Sequence, residues 1–256
     1  MKPTMSSKTM SSVLKSLHVP GKPIVFTNVW DTVSARAIAP LESCKALATA
    51  SYAIAVASNT TDPDLTFEQN IKGIREIAAV AKEYDKPLTA DIQDAYGERL
   101  EEAIGALLDL GVAGCNLEDY DNSNGKMYPK DEAVERVKRT LVVAKQRGQP
   151  DFALNARCDT LVQGGELVEV IDRGKAYLNA GATSIFVWGS KRGVRTEEVK
   201  ALVDAFDGRL NVKLDFAGLS VSELAQIGVS RVSVGPSMQT RMMRALAEDA
   251  GALLKY

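Results

Sequence analysis

Residues 152–189 read FALNARCDTLVQGGELVEVIDRGKAYLNAGATSIFVWG, and this stretch decides the fold. The apolar run Phe152–Arg157 is followed by Glu166–Ala180, where apolar residues recur at the spacing of one helix face, and then by a second apolar run, Ser184–Gly189. Gly181 comes directly after the helical stretch, where a glycine commonly ends a helix. A strand, a helix and a strand in this order are typical of a parallel βαβ unit.

The same alternation extends in both directions along the chain. Six further strand candidates are Pro23–Val29, Ala46–Ser51, Leu88–Ile92, Gly114–Asp119, Asn211–Phe216 and Arg231–Gly235. Further helical stretches are Leu65–Tyr84, Leu100–Leu110, Asp131–Arg147, Thr196–Phe206, Val221–Ile227 and Met238–Leu254. Eight strands that alternate with helices predict an α/β fold of the TIM type, a (β/α)8 barrel, and a doubly wound open sheet is the alternative.

The chain is predicted to form one domain. Its 256 residues are a typical length for one barrel, and no linker rich in proline or serine interrupts the alternation. We predict a barrel domain over residues 11–256 and a flexible N-terminal tail over residues 1–10. A short helix near Ser11–His18 is expected to plug the N-terminal end of the barrel.

The composition excludes several classes of function. A formal net charge of -2, from 31 Lys and Arg against 33 Asp and Glu, argues against a nucleic-acid partner. The single histidine, His18, excludes a metal site with several histidines. Three widely spaced cysteines without a CxxC pair indicate a reducing compartment. With no apolar run of about 18 residues and no signal peptide, we expect no membrane partner and a cytoplasmic location.

Polar side chains follow the strand candidates at the points where a TIM barrel carries its active site. Asp91 and Glu118 come at the ends of the third and fourth strands, after apolar residues, where an unpaired buried charge would be costly. Arg157 ends the fifth strand. Carboxylate oxygens suit Mg2+, and an arginine can bind a substrate carboxylate. We therefore expect Asp91 and Glu118 to converge on Mg2+, and a structural ion pair is the alternative role of Arg157.

Motifs along most of the chain resemble those of a known family. They read LHVPGKPIVFTNVWDTVSARAIA, ATASYAIA, TADIQDAYG, GCNLEDY, LNARCDT, GATSIFVWGS and LSVSELAQIGVSRVSVGPS, and the resemblance covers about residues 11–250. In this order they resemble the isocitrate lyase/phosphoenolpyruvate mutase superfamily, especially its short members. Members of that superfamily make or break C–C or P–C bonds beside a 2-oxo or 2-hydroxy acid with bound Mg2+. The resemblance implies the same fold and a related chemistry.

The resemblance also implies a role for each matching residue in the first half of the chain. Ser51 and the amides of Tyr52 and Ala53 match the cradle that binds the substrate carboxylate. Asp62 matches an aspartate in the loop after the second strand, and Asp64 is its rival because the spacing of NTTDPD differs from the usual one.

Further matches concern the metal and the substrate. Asp91 matches the first metal-site aspartate and is also expected near the substrate, and Glu118 matches the metal-site glutamate. Gln93 stands at the second acidic position of the metal motif, and Arg157 matches the substrate-binding arginine.

The chain departs from the family at three places. Gln93 replaces the usual Asp or Glu, so we expect weaker Mg2+ binding, which Gln93→Asp is expected to strengthen. Ala95 stands where a glycine is common. The loop of residues 119–134, DYDNSNGKMYPKDEAV, has no cysteine or histidine, whereas isocitrate and methylisocitrate lyases carry a KKCGH-like stretch whose cysteine is the general acid.

Three functions remain open at this point. The first is a Mg2+-dependent C–C lyase or decarboxylase for a small 2-oxo or 2-hydroxy carboxylate, acting through an enolate-like intermediate with Asp62, Arg157 and Tyr52 as catalytic residues. The second is a phosphonopyruvate-type mutase or hydrolase. Its cationic candidates for the phosphonate are Arg157, Lys191, Arg192 and Lys213. The third is a non-catalytic or metal-independent descendant that binds a ligand in the barrel.

Two expectations concern the pocket wall and the assembly. Aromatic residues near strand ends are expected to line the pocket, with Trp30 in contact with the substrate: Trp30, Tyr52, Tyr96, Tyr120 and Trp188. The resemblance implies a homo-oligomer, a dimer or tetramer that exchanges a C-terminal helix. The stretch Met238–Leu254 carries an apolar face for such a contact.

Overall fold

Ten short strands are present in the structure, a computed structural model that describes residues 9–255. In chain order they are β1 (Ile24–Phe26), β2 (Leu47–Ala48), β3 (Leu88–Asp91), β4 (Gly114–Glu118), β5 (Tyr120–Asp121), β6 (Lys126–Met127), β7 (Ala153–Cys158), β8 (Ser184–Val187), β9 (Leu210–Lys213) and β10 (Arg231–Ser233). The strands β5 and β6 form an antiparallel hairpin, and the other eight form one parallel sheet.

The described residues also form ten α-helices. They are α1 (Met10–Ser16), α2 (Thr32–Ile38), α3 (Ser51–Ala57), α4 (Phe67–Glu83), α5 (Leu100–Asp109), α6 (Lys130–Gln146), α7 (Leu167–Asn179), α8 (Thr196–Ala205), α9 (Val221–Ile227) and α10 (Ser237–Leu253). Two single turns of 3-10 helix lie at Gly97–Arg99 and Ser190–Arg192. Within the described residues, no helix is both long and apolar enough to cross a membrane.

The sheet curves into a ring, which confirms the predicted barrel. The strand order is β1-β10-β9-β8-β7-β4-β3-β2, so β1 and β2 are the two edges. Just beyond these strands, the Val29 amide donates to the Ala48 carbonyl over 2.8 Å. The Asn28 amide nitrogen donates to the Thr49 carbonyl over 2.7 Å, and its oxygen accepts from the Gly235 amide over 2.9 Å. Asn28 therefore fastens the ends of β1, β2 and β10 together at the seam.

The N-terminal end of the barrel is closed by α1, as the sequence predicts. Leu14 of α1 is fully buried and packs in one cluster with Ile24, Phe26 and Ala153 from the strands. A Cβ on Gly114 would lie 3.0 Å from the Leu14 side chain, so the absence of a side chain at Gly114 leaves room for this plug. The packing of α1 against the strands at the bottom of the barrel is therefore apolar.

All eight predicted barrel strands are present; most are shorter than predicted, while β7 ends one residue later and β9 begins one residue earlier. The predicted helices did not include the seven-residue helices α2 and α3, whereas α9, which is equally short, was predicted with the same bounds. Ser51, predicted as the last residue of a strand, is instead the first residue of α3. Of the predicted tail, residues 1–8 lie outside the described residues, Thr9 caps α1 and Met10 begins it.

The last helix makes little contact with the rest of the chain. Gln239 is the one buried residue of α10, whereas Met242, Leu246 and Leu253 are exposed by 47%, 67% and 77%. On the outside of the barrel a groove of about 390 Å3 runs past β1, where Val25 is 40% exposed. Both surfaces are apolar and uncovered in the single chain.

The plug can be tested by Leu14→Ala. This change leaves a cavity at the bottom of the barrel, and we expect the free energy of unfolding to fall by about 2–5 kcal/mol in urea denaturation. Leu254→Ala is the matched control, because the same atoms are removed from a side chain that is 75% exposed. The control is expected to change stability by less than about 0.5 kcal/mol. Equal effects of the two changes would contradict the plug.

Candidate active site

A cavity of about 200 Å3 opens at the C-terminal ends of the barrel strands. Two acids, two cations and three aromatic rings line it: Asp62, Asp91, Arg157, Lys213, Tyr52, Phe186 and Trp188. This volume suits a small organic acid better than a larger cofactor. The cavity lies where a TIM barrel carries its catalytic groups.

Asp91 is the inward-facing residue at the end of β3. Its Oδ2 accepts from the Ser51 amide over 3.2 Å and lies 3.4 Å from the Ser51 hydroxyl. Its backbone is held from both sides, because the Asp91 amide donates to Thr49 Oγ1 and the Asp91 carbonyl accepts from the Asn70 amide nitrogen. Its Oδ1 is buried and has no partner within residues 9–255. A buried carboxylate oxygen without a partner indicates a group that binds there.

Arg157 lies between two acids. Its Nη1 contacts Glu118 Oε1 over 2.6 Å, and its Nε contacts Asp159 Oδ1 over 2.8 Å. The guanidinium also faces the Trp188 ring, 5.0 Å from its centroid. Burial by itself lowers the pKa of Arg157, but the nearby charges of Asp159 and Glu118 outweigh it and raise that pKa. Arg157 is therefore charged and fixed in place.

The partner acids of Arg157 respond to burial. Burial raises the pKa of Glu118 well above its usual range, Arg157 opposes that rise, and Asp159 adds to it. Asp159 is held in turn by Asp119, whose Oδ1 accepts from the Asp159 amide over 2.8 Å. Burial raises the pKa of Asp119 to about 6, while its hydrogen bonds with Asp159 and Tyr177 limit the rise. The hydrogen bonds of Asp119 thus hold Asp159, and with it one ion pair of Arg157, in place.

Asp62, from the loop between α3 and α4, is held at the cavity by Gln93. The Gln93 Nε2 donates to the Asp62 carbonyl over 2.6 Å and to Asp62 Oδ1 over 3.2 Å. Burial and the charge of Asp91 raise the pKa of Asp62. The rival Asp64 is exposed and accepts from the Thr61 hydroxyl instead. The structure therefore places Asp62, and not Asp64, in the cavity wall.

Five of the predicted site residues come together in the cavity wall: Ser51, Tyr52, Asp62, Asp91 and Arg157. Glu118 is not among the lining residues, because its carboxylate pairs with Arg157. Gln93 likewise lies behind the wall.

Two predicted contacts with the substrate need correction. Trp30 is 7% exposed and packs in the hydrophobic core, so it does not reach the cavity. Ala53 is fully buried, and its amide already donates to the Ala50 carbonyl in the first turn of α3. The two errors have different causes: the Trp30 side chain packs into the core before α2 begins, whereas the amide of Ala53 is used within α3.

The predicted aromatic wall is smaller than expected. Tyr52 and Trp188 line the cavity, but Tyr96 packs edge-on against Phe67 and accepts a hydrogen bond from Asn70. Tyr120 belongs to β5 of the hairpin and does not line the cavity. An aromatic residue near a strand end is thus not sufficient to predict a pocket wall.

Sequence reasoning assigned no role to three other lining residues, Asn28, Asn116 and Ser233. The usable signal is the alternation of a strand. Asn116 lies two residues before Glu118 and therefore faces the same side of β4. A polar residue at such an inward position, in a strand with apolar outward residues, indicates a barrel interior that is polar near the site.

The residues present fit a magnesium ion. Asp91 offers a buried free oxygen, and the acids Asp62, Glu118 and Asp159 outnumber the guanidinium of Arg157. No group of three or more metal-ligating acids, cysteines or histidines is formed in the described part of the chain. Mg2+ does not need one, because it commonly keeps several waters and uses one or two protein carboxylates.

Comparison with known proteins identifies the family. The family model described as phosphoenolpyruvate phosphomutase matches residues 14–254. The chain belongs to the isocitrate lyase/phosphoenolpyruvate mutase superfamily. An uncharacterized protein of Mycobacterium tuberculosis is 31% identical, over 93% of this chain and 87% of its own length. A solved Burkholderia cenocepacia protein, provisionally called a phosphonomutase, has a TM-score of 0.86 and 31% identity, over 95% of this chain and 98% of its own.

A further relative carries a more specific name. A probable 2-methylisocitrate lyase of Corynebacterium glutamicum is 30% identical, over 51% of this chain and 45% of its own length. Members of the superfamily are lyases, mutases and hydrolases that act on small carboxylates.

The departures of this superfamily member have visible consequences. The loop without the cysteine folds into the β5–β6 hairpin, where Asp121 accepts from the amides of Ser123 and Asn124. Ala95, where a glycine is common, has a φ of 59°, a left-handed conformation that costs a non-glycine residue energy. Gln93 has a φ of 54° and turns its amide toward Asp62.

The role of Gln93 as a hydrogen-bond donor can be tested by Gln93→Glu. The change keeps the shape, removes both hydrogen bonds to Asp62 and places two carboxylates side by side. We expect the free energy of unfolding at pH 7 to fall by about 1–3 kcal/mol in urea denaturation. The loss is expected to shrink at pH 5, because one of the two carboxyls then takes up a proton more easily.

The exposed Gln163 provides the matched control, since Gln163→Glu introduces the same charge in solvent. It is expected to leave stability nearly unchanged at both pH values. A Gln93→Glu variant as stable as this control would show that the amide does not hold Asp62.

Proposed function

We propose that this protein is a Mg2+-dependent carbon–carbon lyase or decarboxylase that acts on a small 2-oxo or 2-hydroxy carboxylate through an enolate-like intermediate. The observation that carries the proposal is the buried, unpartnered Oδ1 of Asp91 beside a cavity of about 200 Å3. The superfamily's lyases, mutases and hydrolases of small carboxylates support it.

Asp91 is the proposed direct ligand of Mg2+, and Glu118 supplies a second acid beside it. When bound, Mg2+ acts as a Lewis acid that draws charge from the 2-oxo group. Gln93, predicted at the metal, instead holds Asp62 through its amide nitrogen. This assignment leaves Gln93 as a positioning residue.

The chain's own residues bind and orient the substrate. Ser51, Tyr52 and Arg157 are proposed to bind its carboxylate, because all three line the cavity. The Nη1 and Nε of Arg157 pair with Glu118 and Asp159, and its Nη2 is the donor proposed to bind the ligand. A fixed guanidinium loses little freedom on binding, which favours catalysis through orientation. Asp62, with its raised pKa, is proposed to move a proton to or from the substrate.

A second candidate is a phosphonopyruvate-type mutase or hydrolase. The observation that favours it is Lys213, which lines the cavity near Trp188 and forms no ion pair with a described carboxylate. The other predicted cations do not reach the cavity, because Arg192 pairs with Glu198 and Lys191 is exposed. Lys213 and Arg157 are therefore the cations that a phosphonate or a second carboxylate would meet.

Substrate class is tested by measuring turnover of oxaloacetate, substituted malates and phosphonopyruvate, each with EDTA and with added Mg2+. The proposal expects EDTA to abolish turnover of a carboxylate substrate and Mg2+ to restore it. Turnover of phosphonopyruvate alone would favour the second candidate. Ligand binding without any turnover would favour a non-catalytic descendant.

Asp91→Ala tests the metal ligand. Removing the free carboxylate is expected to lower Mg2+-dependent turnover by about 100-fold or more, while the fold, followed by circular dichroism, is retained. Asp64→Ala is the matched control, since Asp64 is exposed and outside the cavity. Full activity of Asp91→Ala would contradict the metal mechanism.

We also propose that the protein forms a homo-oligomer through α10. The exposed apolar face of α10 and the uncovered groove beside β1 are surfaces that a second copy can bury. In a TIM barrel the helices form a complete outer ring, and α10 of this chain does not complete it. A helix from a second copy would cover the exposed Val25 and remove two apolar surfaces from water at once.

Light scattering at micromolar concentration is expected to give the mass of a dimer or tetramer. The double change Met242→Glu and Leu246→Glu is expected to shift it to the monomer, because it places two charges in the proposed contact. Val142→Glu, on the exposed face of α6, is the control and is expected to keep the oligomer. A monomeric mass for the unchanged protein would refute the proposal.

A further inference from the structure

A layer of buried polar side chains crosses the barrel directly beneath the cavity. Asn116 of β4 is its central member, and its Oδ1 accepts two hydrogen bonds. One comes from Asn155 Nδ2 over 2.8 Å and the other from Arg231 Nη2 over 3.0 Å. The two donors come from β7 and β10, so they approach the Asn116 oxygen from different parts of the barrel.

These two bonds fix the orientation of the Asn116 amide. Its oxygen faces the donors, and a flipped amide would place an NH2 group against Asn155 and Arg231. Its Nδ2 donates to no group within residues 9–255, yet it is not enclosed, since Asn116 lines the cavity. The structure therefore presents a hydrogen-bond donor, and not an acceptor, to whatever occupies the cavity.

Arg231, which donates to Asn116, is buried inside the barrel. It is 1% exposed, stacks over the Phe26 ring at 4.6 Å from the centroid, and forms no ion pair with a carboxylate in the described part of the chain. Burial lowers the pKa of Arg231 to about 9, and the charge of Asp91 opposes that shift. It is thus a cation at neutral pH, beneath an acid-rich cavity.

The single histidine supports Arg231 from below. His18 Nδ1 lies 2.9 Å from the Leu14 carbonyl and donates to it, which leaves Nε2 as an acceptor 3.4 Å from Arg231 Nη1. Burial and the charge of Arg231 lower the pKa of His18 to about 3, so the ring is neutral. A continuous set of hydrogen bonds runs from the plug helix through Arg231 to Asn116.

We infer that Asn116 is a further substrate-binding residue, and that Arg231 is the positioning residue that aims its Nδ2 into the cavity. The donor suits a carboxylate or enolate oxygen of a 2-oxo acid, since a charged acceptor strengthens such a bond. The nature of this ligand rests on the proposed function. The donor's orientation rests on the contacts of Asn116 alone.

A purely structural role is the competing explanation. In that case the Asn116–Arg231 bond only satisfies buried groups, and its loss changes stability but not ligand binding. The two explanations predict different affinities for a ligand in the cavity, so the experiment measures the binding of a ligand there. Oxalate with Mg2+ is the probe, because its planar dianion resembles the enolate of a 2-oxo acid.

The central variant is Asn116→Asp. A carboxylate keeps both acceptor contacts with Asn155 and Arg231, so the fold is expected to be retained, but it replaces the donor with a negative charge. We expect oxalate affinity, measured by calorimetry with Mg2+, to fall by about 30-fold or more. Asn116→Ala removes the donor without adding charge and is expected to lose about 10-fold.

Asn211→Asp is the matched control. Asn211 is a fully buried asparagine of β9 that pairs with Ser233 and does not line the cavity. The control is expected to bind oxalate within about threefold of the unchanged protein. Thermal denaturation of each variant separates a loss of folding from a loss of binding.

To test whether Arg231 positions Asn116, the measurement must respond to the orientation of the Asn116 amide and not only to the stability of the fold. In the 15N spectrum, the side-chain amide signal missing from Asn116→Asp identifies Asn116, and we expect oxalate to shift it. Arg231→Met is expected to abolish that shift and weaken oxalate binding about 10-fold, and Arg231→Lys is expected to restore part of both.

The outcomes separate the two proposals. If the unchanged protein binds no oxalate with Mg2+, both the proposed function and this inference are overturned. If it binds oxalate and Asn116→Asp binds equally well, or the Asn116 amide signal does not shift, only the inference fails.

Discussion

The ion pairs of Arg157 with Glu118 and Asp159 are the interaction on which the site depends. A buried guanidinium that contacts two buried carboxylates cannot be removed without leaving charges unpaired in a nonpolar environment, which is strongly destabilising. The pairs also set the chemistry of the cavity. Glu118 and Asp159 both pair with Arg157, whereas Asp91 lines the cavity and has a carboxylate oxygen without a partner in the described residues. The proposed cation site and the proposed substrate site are therefore consequences of one electrostatic arrangement.

The barrel supplies the rigidity that this arrangement requires. Successive strands carry an inward side chain every second residue, so each strand adds one group to the cavity layer and one to the layer beneath it. Asn28 fastens the seam between the edge strands, and Gln93 fixes the one loop residue, Asp62. Asn116 and Arg231 extend the same principle downward, since a polar group beneath the site orients a group in its wall.

Much of the site could be predicted from the sequence, and the predictions that were wrong have identifiable physical causes. Ser51, Asp62, Asp91 and Arg157 line the cavity, as the strand ends and the matching motifs predicted. The predictions for Trp30 and Ala53 fail because the Trp30 side chain packs into the core and the Ala53 amide bonds within α3, and neither contact is visible in the local pattern. Asn116 and Lys213 sit at inward strand positions that a pattern of alternation can mark, although the hydrogen bonds that orient Asn116 come from residues 39 and 115 positions away.

The sequence by itself determined the barrel, the order of its strands and the family, because alternating periods of two and 3.6 residues and short motifs are local properties of the chain. It also determined which acids and which arginine stand at the strand ends. Only the tertiary structure decided which of these groups contact one another. Glu118 pairs with Arg157, Gln93 donates to Asp62, and Asp91 keeps an oxygen without a partner in the described residues. The physical reason is that hydrogen bonds and ion pairs depend on distances between residues far apart in sequence, which no local pattern encodes.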